Sequence, residues 1–172
     1  MKQRVKSMSK ELEALTIVPF LTIYTQLAEE EGLRLKVYKC TAGFNTVGIG
    51  HNLDALQTRH IIGRDVLDNG TITDVEAQKI FEYDLTSVLR ELHKNILFFS
   101  KLDVALQYVL ISLAFNMGIG GLMQFKNTLK AFEANNTTNI INGLSSSKWS
   151  KQVPNRAKKL MNIVRSRTFP KV

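Results

Sequence analysis

Glu31 is the residue best placed to do acid chemistry. It closes the run Glu29-Glu30-Glu31, just before Gly32. Carboxylates at the end of a helix face the negative end of its dipole, and each disfavours ionisation of its neighbours. Both effects suit a carboxyl that keeps its proton and acts as a general acid; a solvated acidic turn has the same composition. Cys40 is the single cysteine. Beside a turn, a thiol works as a base or nucleophile if its pKa falls from about 8.5; otherwise it is a small buried hydrophobe. Thr46 adds a hydroxyl within a β-branched stretch. His51 follows Gly48-Ile49-Gly50 and is open to three readings: ligand, base or ion-pair partner. His51, His60 and His93 have no metal-ligand spacing, so neither a zinc site nor any cofactor is expected. The glycines at 43, 48 and 50 match no phosphate-binding pattern but allow a bulky ligand close to the backbone.

The elements that must position these residues follow from hydrophobic periodicity. Phe20, Ile23, Tyr24 and Leu27 predict a short amphipathic helix over 20–30, stopped by Gly32. Residues 33–54 carry Val37, Thr46, Val47 and Ile49 between glycines, which predicts a small antiparallel hairpin or three-stranded sheet. Residues 55–69 read as a helix ending in the turn Asp68-Asn69-Gly70. Thr73 and Glu76 form a capping box. The helix that follows has Ala77, Ile80, Phe81, Leu85, Val88, Leu89 and Leu92 on one stripe. Asp103 is the expected cap of a helix over 104–117, apolar nearly all round and ended by Gly118, Gly120 and Gly121. Short helices follow, separated at Asn135-Asn136 and at 143–147, and Pro154 sits in the first turn of the last one. The order predicts an α+β fold with the strands segregated near the N-terminus.

The chain has 172 residues, 44% hydrophobic and 22% charged, which excludes disordered, collagenous and low-complexity classes. There are 23 Lys+Arg against 15 Asp+Glu, a net charge of +8, which favours a polyanionic partner. A lone cysteine excludes an intrachain disulfide. From Lys148 onward there are eight basic residues (148, 151, 156, 158, 159, 165, 167, 171) and no acidic one. That tail is suited to an anionic outer-membrane surface; with few aromatics and no nucleic-acid motif, nucleic acid is not expected. No apolar run of spanning length is apparent. Lys2, Arg4, Lys6 and Lys10 precede a moderately apolar stretch, 14–24, that faintly resembles a signal sequence. Glu11, Glu13 and Pro19 interrupt it, so 1–20 is read as a surface-exposed extension, with export through this segment as the alternative.

Glu31, Cys40 and Thr46 occur in the order and spacing of a known hairpin. The stretch from Glu31 to His51 resembles that of the T4-type phage lysozymes (endolysins), glycoside hydrolase family 24, nearly position for position. The resemblance continues through 77–84, Phe115-Asn116-Met117-Gly118, Phe125-x-Asn127 and Trp149-x4-Pro154-Asn155-Arg156-Ala157-Lys158, and covers roughly 21–169. It implies a lysozyme-like α+β fold: a sheet lobe at about 33–73, a connecting helix at about 74–93, a helical lobe of 21–31 plus 94–172, and a cleft between the lobes. It implies Glu31 as catalytic acid, Cys40 where the family has Asp or Cys, and Thr46 as the residue that helps hold water. Arg156 is implied as the partner of the glutamate and His51 with Asp84 as a structural ion pair. Asn52, Phe115, Asn116 and Thr128 are implied as substrate contacts. Ser112 and Gly143 replace asparagines and Asn52 replaces an aliphatic residue, departures that bear on sugar preference.

The implied reaction is hydrolysis of the β-1,4 bond between N-acetylmuramic acid and N-acetylglucosamine in peptidoglycan by an inverting acid/water course, for host lysis. A double displacement through Cys40 is the alternative. The implied protein is monomeric and bacteriolytic. It waits in the host cytoplasm until a holin releases it to the periplasm.

Overall fold

The structure is a computed structural model that describes residues 10–53 and 58–169. In chain order the described elements are α1 (Lys10–Leu15), α2 (Phe20–Glu31), β1 (Arg34–Lys39), β2 (Asn45–Gly48), β3 (His51–Asn52), α3 (Thr58–Ile62), α4 (Asp74–Asn95), a 3-10 turn (Phe99–Lys101), α5 (Val104–Leu122), α6 (Lys126–Glu133), α7 (Thr137–Ser145), α8 (Lys148–Gln152) and α9 (Pro154–Ser166). Lys2, Arg4, Lys6 and Lys171 lie outside the described residues, as does the start of the helix expected over 55–69. The chain divides into two compact units, Pro19–Ser87 and, among the described residues, 10–18 with 88–169. α4 contributes its first turns to one unit and its last to the other.

The first unit is built on an antiparallel sheet of order β1-β2-β3. Tyr38 pairs with Thr46, and Thr46 in turn with Asn52. A bulge between Arg34 and Tyr38 gives β1 two more residues than β2 opposes, so the alternation of faces is kept. Leu35 and Val37 therefore share the inner face and pack on Val47, Val66, Ile72, Ala77 and Ile80. The far edge of β1 is covered by 70–72: Val37 N–H donates to Gly70 O at 2.8 Å and Ile72 N–H to Leu35 O at 2.8 Å. α2 buries Phe20, Ile23 and Leu27. Phe20 stacks on Tyr24, and both rings meet Phe81 of α4 at 5.7 and 5.2 Å.

The expected capping box forms: Thr73 N–H donates to Glu76 Oε2 at 2.8 Å and Glu76 N–H to Thr73 Oγ1 at 3.2 Å. Arg64 completes it with two 2.8 Å bonds to the Glu76 carboxylate and one of 2.8 Å to Thr71 O. Arg64, foremost, and the Thr73 N–H and hydroxyl hold the Glu76 carboxyl down to about 2.

The second unit is centred on α5. Asp103 caps it as expected, accepting from Leu106 N–H at 2.9 Å. Every residue from Ala105 to Ala114 is buried, so the helix lies in the core. α5 is also long and apolar enough to cross a membrane by length and composition alone, as a buried core helix can be. Its end differs from expectation: Gly118 leaves helical geometry at φ 73°, and the helix resumes to Leu122.

The segment expected to be an exposed extension is instead packed into this unit over residues 10–18. Leu12 and Val18 are buried. Thr16 Oγ1 donates to Gln107 Oε1 at 2.9 Å, and Ile17 N–H to the same oxygen at 3.3 Å. The Gln107 amide donates to Leu102 O at 3.2 Å, so this buried side chain uses both ends. His93 Nε2 donates to Leu15 O at 2.7 Å, and Arg90 pairs with Glu11. An apolar pattern too short to read as a core element concealed this packing.

Gly143 was expected in a linker but lies inside α7. A Cβ there would stand 2.1 Å from Thr128 Oγ1 on α6. The glycine marks a close helix approach, not a break.

Candidate active site

Cys40 stands just beyond β1, at the start of the turn that leads into β2. Its N–H donates to Phe44 O at 3.0 Å, and its carbonyl accepts from Gly43 N–H at 2.9 Å. Gly43 has φ 85°, a left-handed conformation that suits glycine and lets the turn close. The turn folds its amides back over the sulfur. The Phe44 N–H, then that of Ala42, pulls the Cys40 thiol below its ordinary pKa; the Thr46 hydroxyl and Gly43 N–H add to this, and partial desolvation opposes it. The lone cysteine is thus a half-buried thiol in a cradle of donors, which favour its ionised form.

Thr46, on β2, is 3% exposed. Its hydroxyl lies 3.1 Å from Phe44 O, as a donor, and also reaches the Cys40 sulfur. It has one hydrogen for these acceptors, so its lone pairs remain available to another donor. Asn52 faces Thr46 across the ladder and is exposed. Glu31 is half-buried in the last turn of α2, which Gly32 closes.

His51 is fixed as an ion-pair partner. Its Nδ1 is 2.9 and 3.0 Å from the two Asp84 carboxylate oxygens, which can only accept, so Nδ1 carries the hydrogen. Nε2 meets Thr58 Oγ1 at 2.8 Å. With both ring nitrogens engaged, the ligand reading of His51 is displaced. Thr58 carried no signal in the sequence; only the fold brings it to the ring. Among the described residues no group of His, Cys, Asp and Glu could hold a metal ion.

Four sequence candidates belong to the helical unit. Asn116 Oδ1 accepts from Trp149 Nε1 at 2.8 Å, which orients the amide. Trp149 stood in a recognised motif without a role; its indole donor, needing an acceptor once buried, was the available signal. Phe115 is half-buried beside Asn116, and Arg156 is half-buried on α9. Thr128 is 6% exposed, and its hydroxyl lies against Gly143 where α6 meets α7. Ser112 is 1% exposed. Of the three departures, only Asn52 therefore lies on an exposed surface. The basic tail is partly committed to structure: Arg167 pairs with Asp103 at 3.0 Å and donates to Asn135 and Thr137 at 2.9 and 2.8 Å.

Comparison with known proteins bears on this arrangement. The family described as phage lysozyme matches residues 28–168. The chain is similar to Probable T4-type lysozyme 1 of Dictyostelium discoideum, 26% identical over 163 residues, covering 86% of this chain and 96% of that protein. It is 32% identical over 160 residues to the Pre-baseplate central spike protein Gp5 of Enterobacteria phage T4, covering 85% of this chain but 28% of that protein. It is 30% identical over 135 residues to Peptidoglycan hydrolase gp36 of Pseudomonas phage phiKMV, covering 77% of this chain and 14% of that one. The chain thus spans nearly the whole of the amoebal relative and under a third of each phage protein. The matched span runs from α2 through the hairpin to the end of α9, taking in every residue from Glu31 to Arg156 considered above: this chain belongs to the phage lysozyme family and is a lysozyme, a glycoside hydrolase.

Proposed function

We propose that this lysozyme cleaves the β-1,4 bond between N-acetylmuramic acid and N-acetylglucosamine in peptidoglycan by a single, inverting displacement. The observation that carries the mechanism is the cradle around Cys40: amide donors and the Thr46 hydroxyl favour its thiolate. Glu31 donates a proton to the leaving glycosidic oxygen. A water between sugar and hairpin gives one hydrogen bond to the thiolate and one to a lone pair of Thr46, leaving its own lone pair for the anomeric carbon. As the carbon–oxygen bond to water forms, the water proton passes to Cys40. The cycle ends with a Glu31 carboxylate and a Cys40 thiol, and exchange with solvent resets both. Phe115 and Asn116 serve as sugar contacts. The substrate assignment draws support from the relative named a peptidoglycan hydrolase and from the family's lysozyme activity.

The anomeric configuration of the first product tests the mechanism. Inversion of a β bond yields the α-anomer, read by NMR before mutarotation. A β-anomer would overturn the water attack and make Cys40 a covalent nucleophile. Glu31→Gln is expected to lower turnover by about 10²–10⁴-fold, the usual contribution of a general acid, with an unchanged melting temperature. Lysis at the wild-type rate by that variant would remove Glu31 from the mechanism.

The biological role that fits is host lysis, with the enzyme held in the cytoplasm until the inner membrane is opened. Cells expressing it should stay turbid until a membrane-permeabilising agent is added, then clear. Clearing without the agent would show that the protein crosses the membrane by itself.

A further inference from the structure

The outward face of β1 carries a set of groups that the hydrolytic step does not use. Arg34, Lys36 and Tyr38 alternate with the core-facing Leu35 and Val37, and the bulge keeps this phase. Tyr38 is paired with Thr46, and Thr46 with Asn52, so the three side chains form one row across the sheet. The face thus leads directly to the turn that holds Cys40. Arg34 and Lys36 are exposed. Neither takes part in the ion pairs described for this unit, His51–Asp84 and Arg64–Glu76. The Arg34 guanidinium lies over the Tyr38 ring, 4.4 Å from its centre. A guanidinium held over a ring still carries its N–H donors at the edge of its plane. Lys39, by contrast, turns to the hairpin and donates to Gly43 O at 3.3 Å and towards Asn45 Oδ1 at 3.5 Å.

We propose that the Arg34–Lys36–Tyr38 face binds the carboxylates of the peptide stem attached to the muramic acid, a role that rests on the peptidoglycan reading above. The planar edge of Arg34 matches a carboxylate in two-point fashion, and Lys36 supplies a point charge on the same side. The dimensions agree: between Arg34 and Tyr38 the bulged strand spans only the two residues of β2 that oppose it, so at about 3.3 Å per residue the path from Arg34 to Cys40 is about 13 Å, within the reach of an extended stem of four or five residues. A sugar held at the Cys40 turn would therefore trail its stem along β1.

The test compares three substrates by kcat and KM: glycan strands with intact stems, strands stripped of stems by an amidase, and strands whose stem carboxylates have been amidated. The wild-type enzyme is expected to favour intact stems and to lose that preference on the amidated ones. The double variant Arg34→Gln, Lys36→Gln should lower the intact-to-stripped preference about tenfold, the equivalent of one charge-assisted bond, through KM more than kcat. A preference equal to the wild type, or equal losses on intact and stripped strands, would overturn the stem role while leaving the hydrolase reading in place. A preference lost only on walls carrying phosphate polymers would also overturn it, by assigning the face to those polymers. A wild-type enzyme that cleaves none of the three would remove the peptidoglycan reading itself.

Discussion

The Cys40 hairpin and the helical unit hold their functional groups by different means. In the hairpin, the partners are close in the chain: Cys40 is gripped by Ala42, Gly43, Phe44 and Thr46. In the helical unit they are distant: Asn116 is oriented by Trp149, 33 residues away, and Gln107 receives Thr16 from 91 residues away. The first arrangement is a local device, stable as long as the turn closes. The second exists only once the core is packed. Chemistry at the hairpin should therefore respond to changes in the turn and little to global stability, whereas the helical unit should respond to packing changes far from any substrate.

The largest effect expected to sharpen this contrast is at the thiol. Alkylation of Cys40, or Cys40→Ala, should reduce turnover by about 10²-fold or more, with little change in melting temperature. The thiolate forms as pH rises, and its pKa is lowered in the fold. The rising limb of activity should therefore lie below the ordinary thiol value of about 8.5, and Cys40→Asp should move it towards the carboxylate range near 3.9. Full alkylation without loss of turnover would end the thiolate role.

A smaller effect, on stability alone, is expected from the helical unit. Gly143→Ala places a Cβ against Thr128 Oγ1 and should cost about 1–3 kcal/mol by overpacking. Adding Thr128→Ala should recover most of that loss, since the two positions share one contact. A Gly143→Ala protein that melts like the wild type would remove the close approach of α6 and α7.

The Arg64–Glu76 pair offers a local stability test. The folded Glu76 carboxyl, at about 2, lies below its unfolded value of about 4.3. Its stabilisation is complete above the unfolded value and is lost as pH falls through about 2. Arg64→Ala should therefore destabilise the sheet-bearing unit by about 1–2 kcal/mol at neutral pH. The difference between variant and wild type should shrink as pH falls through about 2 in urea titrations, leaving the smaller part due to the Arg64 bond to Thr71 O. A constant difference across that range would assign the effect to packing.

The smallest effect is expected from Trp149→Phe, which removes the donor to Asn116 while keeping an aromatic ring. A rise in KM of about threefold, worth under 1 kcal/mol, is the anticipated result. No change in KM would leave Asn116 without a sugar contact.

The same contrast governs what could be read in advance. The Thr73–Glu76 box, the Asp103 cap and Pro154 at the start of α9 are local signals, and each appears where the residues place it. The roles of Glu31, Cys40 and Thr46 came from the family resemblance. The turn that holds Cys40 followed from Gly43 and the strand pattern around it. Packing over residues 10–18, the burial of Thr128, the place of Gly143 inside α7 and the partnership of Trp149 with Asn116 were not legible. Each depends on a neighbour from another part of the chain, and neither propensity nor spacing records such neighbours.

The packing of residues 10–18 has a consequence for synthesis. This segment leaves the ribosome before the sheet-bearing unit, yet its partners Arg90, His93 and Gln107 follow by 79, 78 and 91 residues. The sheet-bearing unit, by contrast, has all its described residues once position 87 has been made. Residues 10–18 must therefore remain uncommitted while a whole unit is translated after them. The segment must wait for those partners. It then closes a loop whose entropic cost grows only slowly with length, by about 0.6 kcal/mol per doubling. Residues 10–18 are made before the sheet-bearing unit and find their place after it, once the residues that follow position 87 supply their partners.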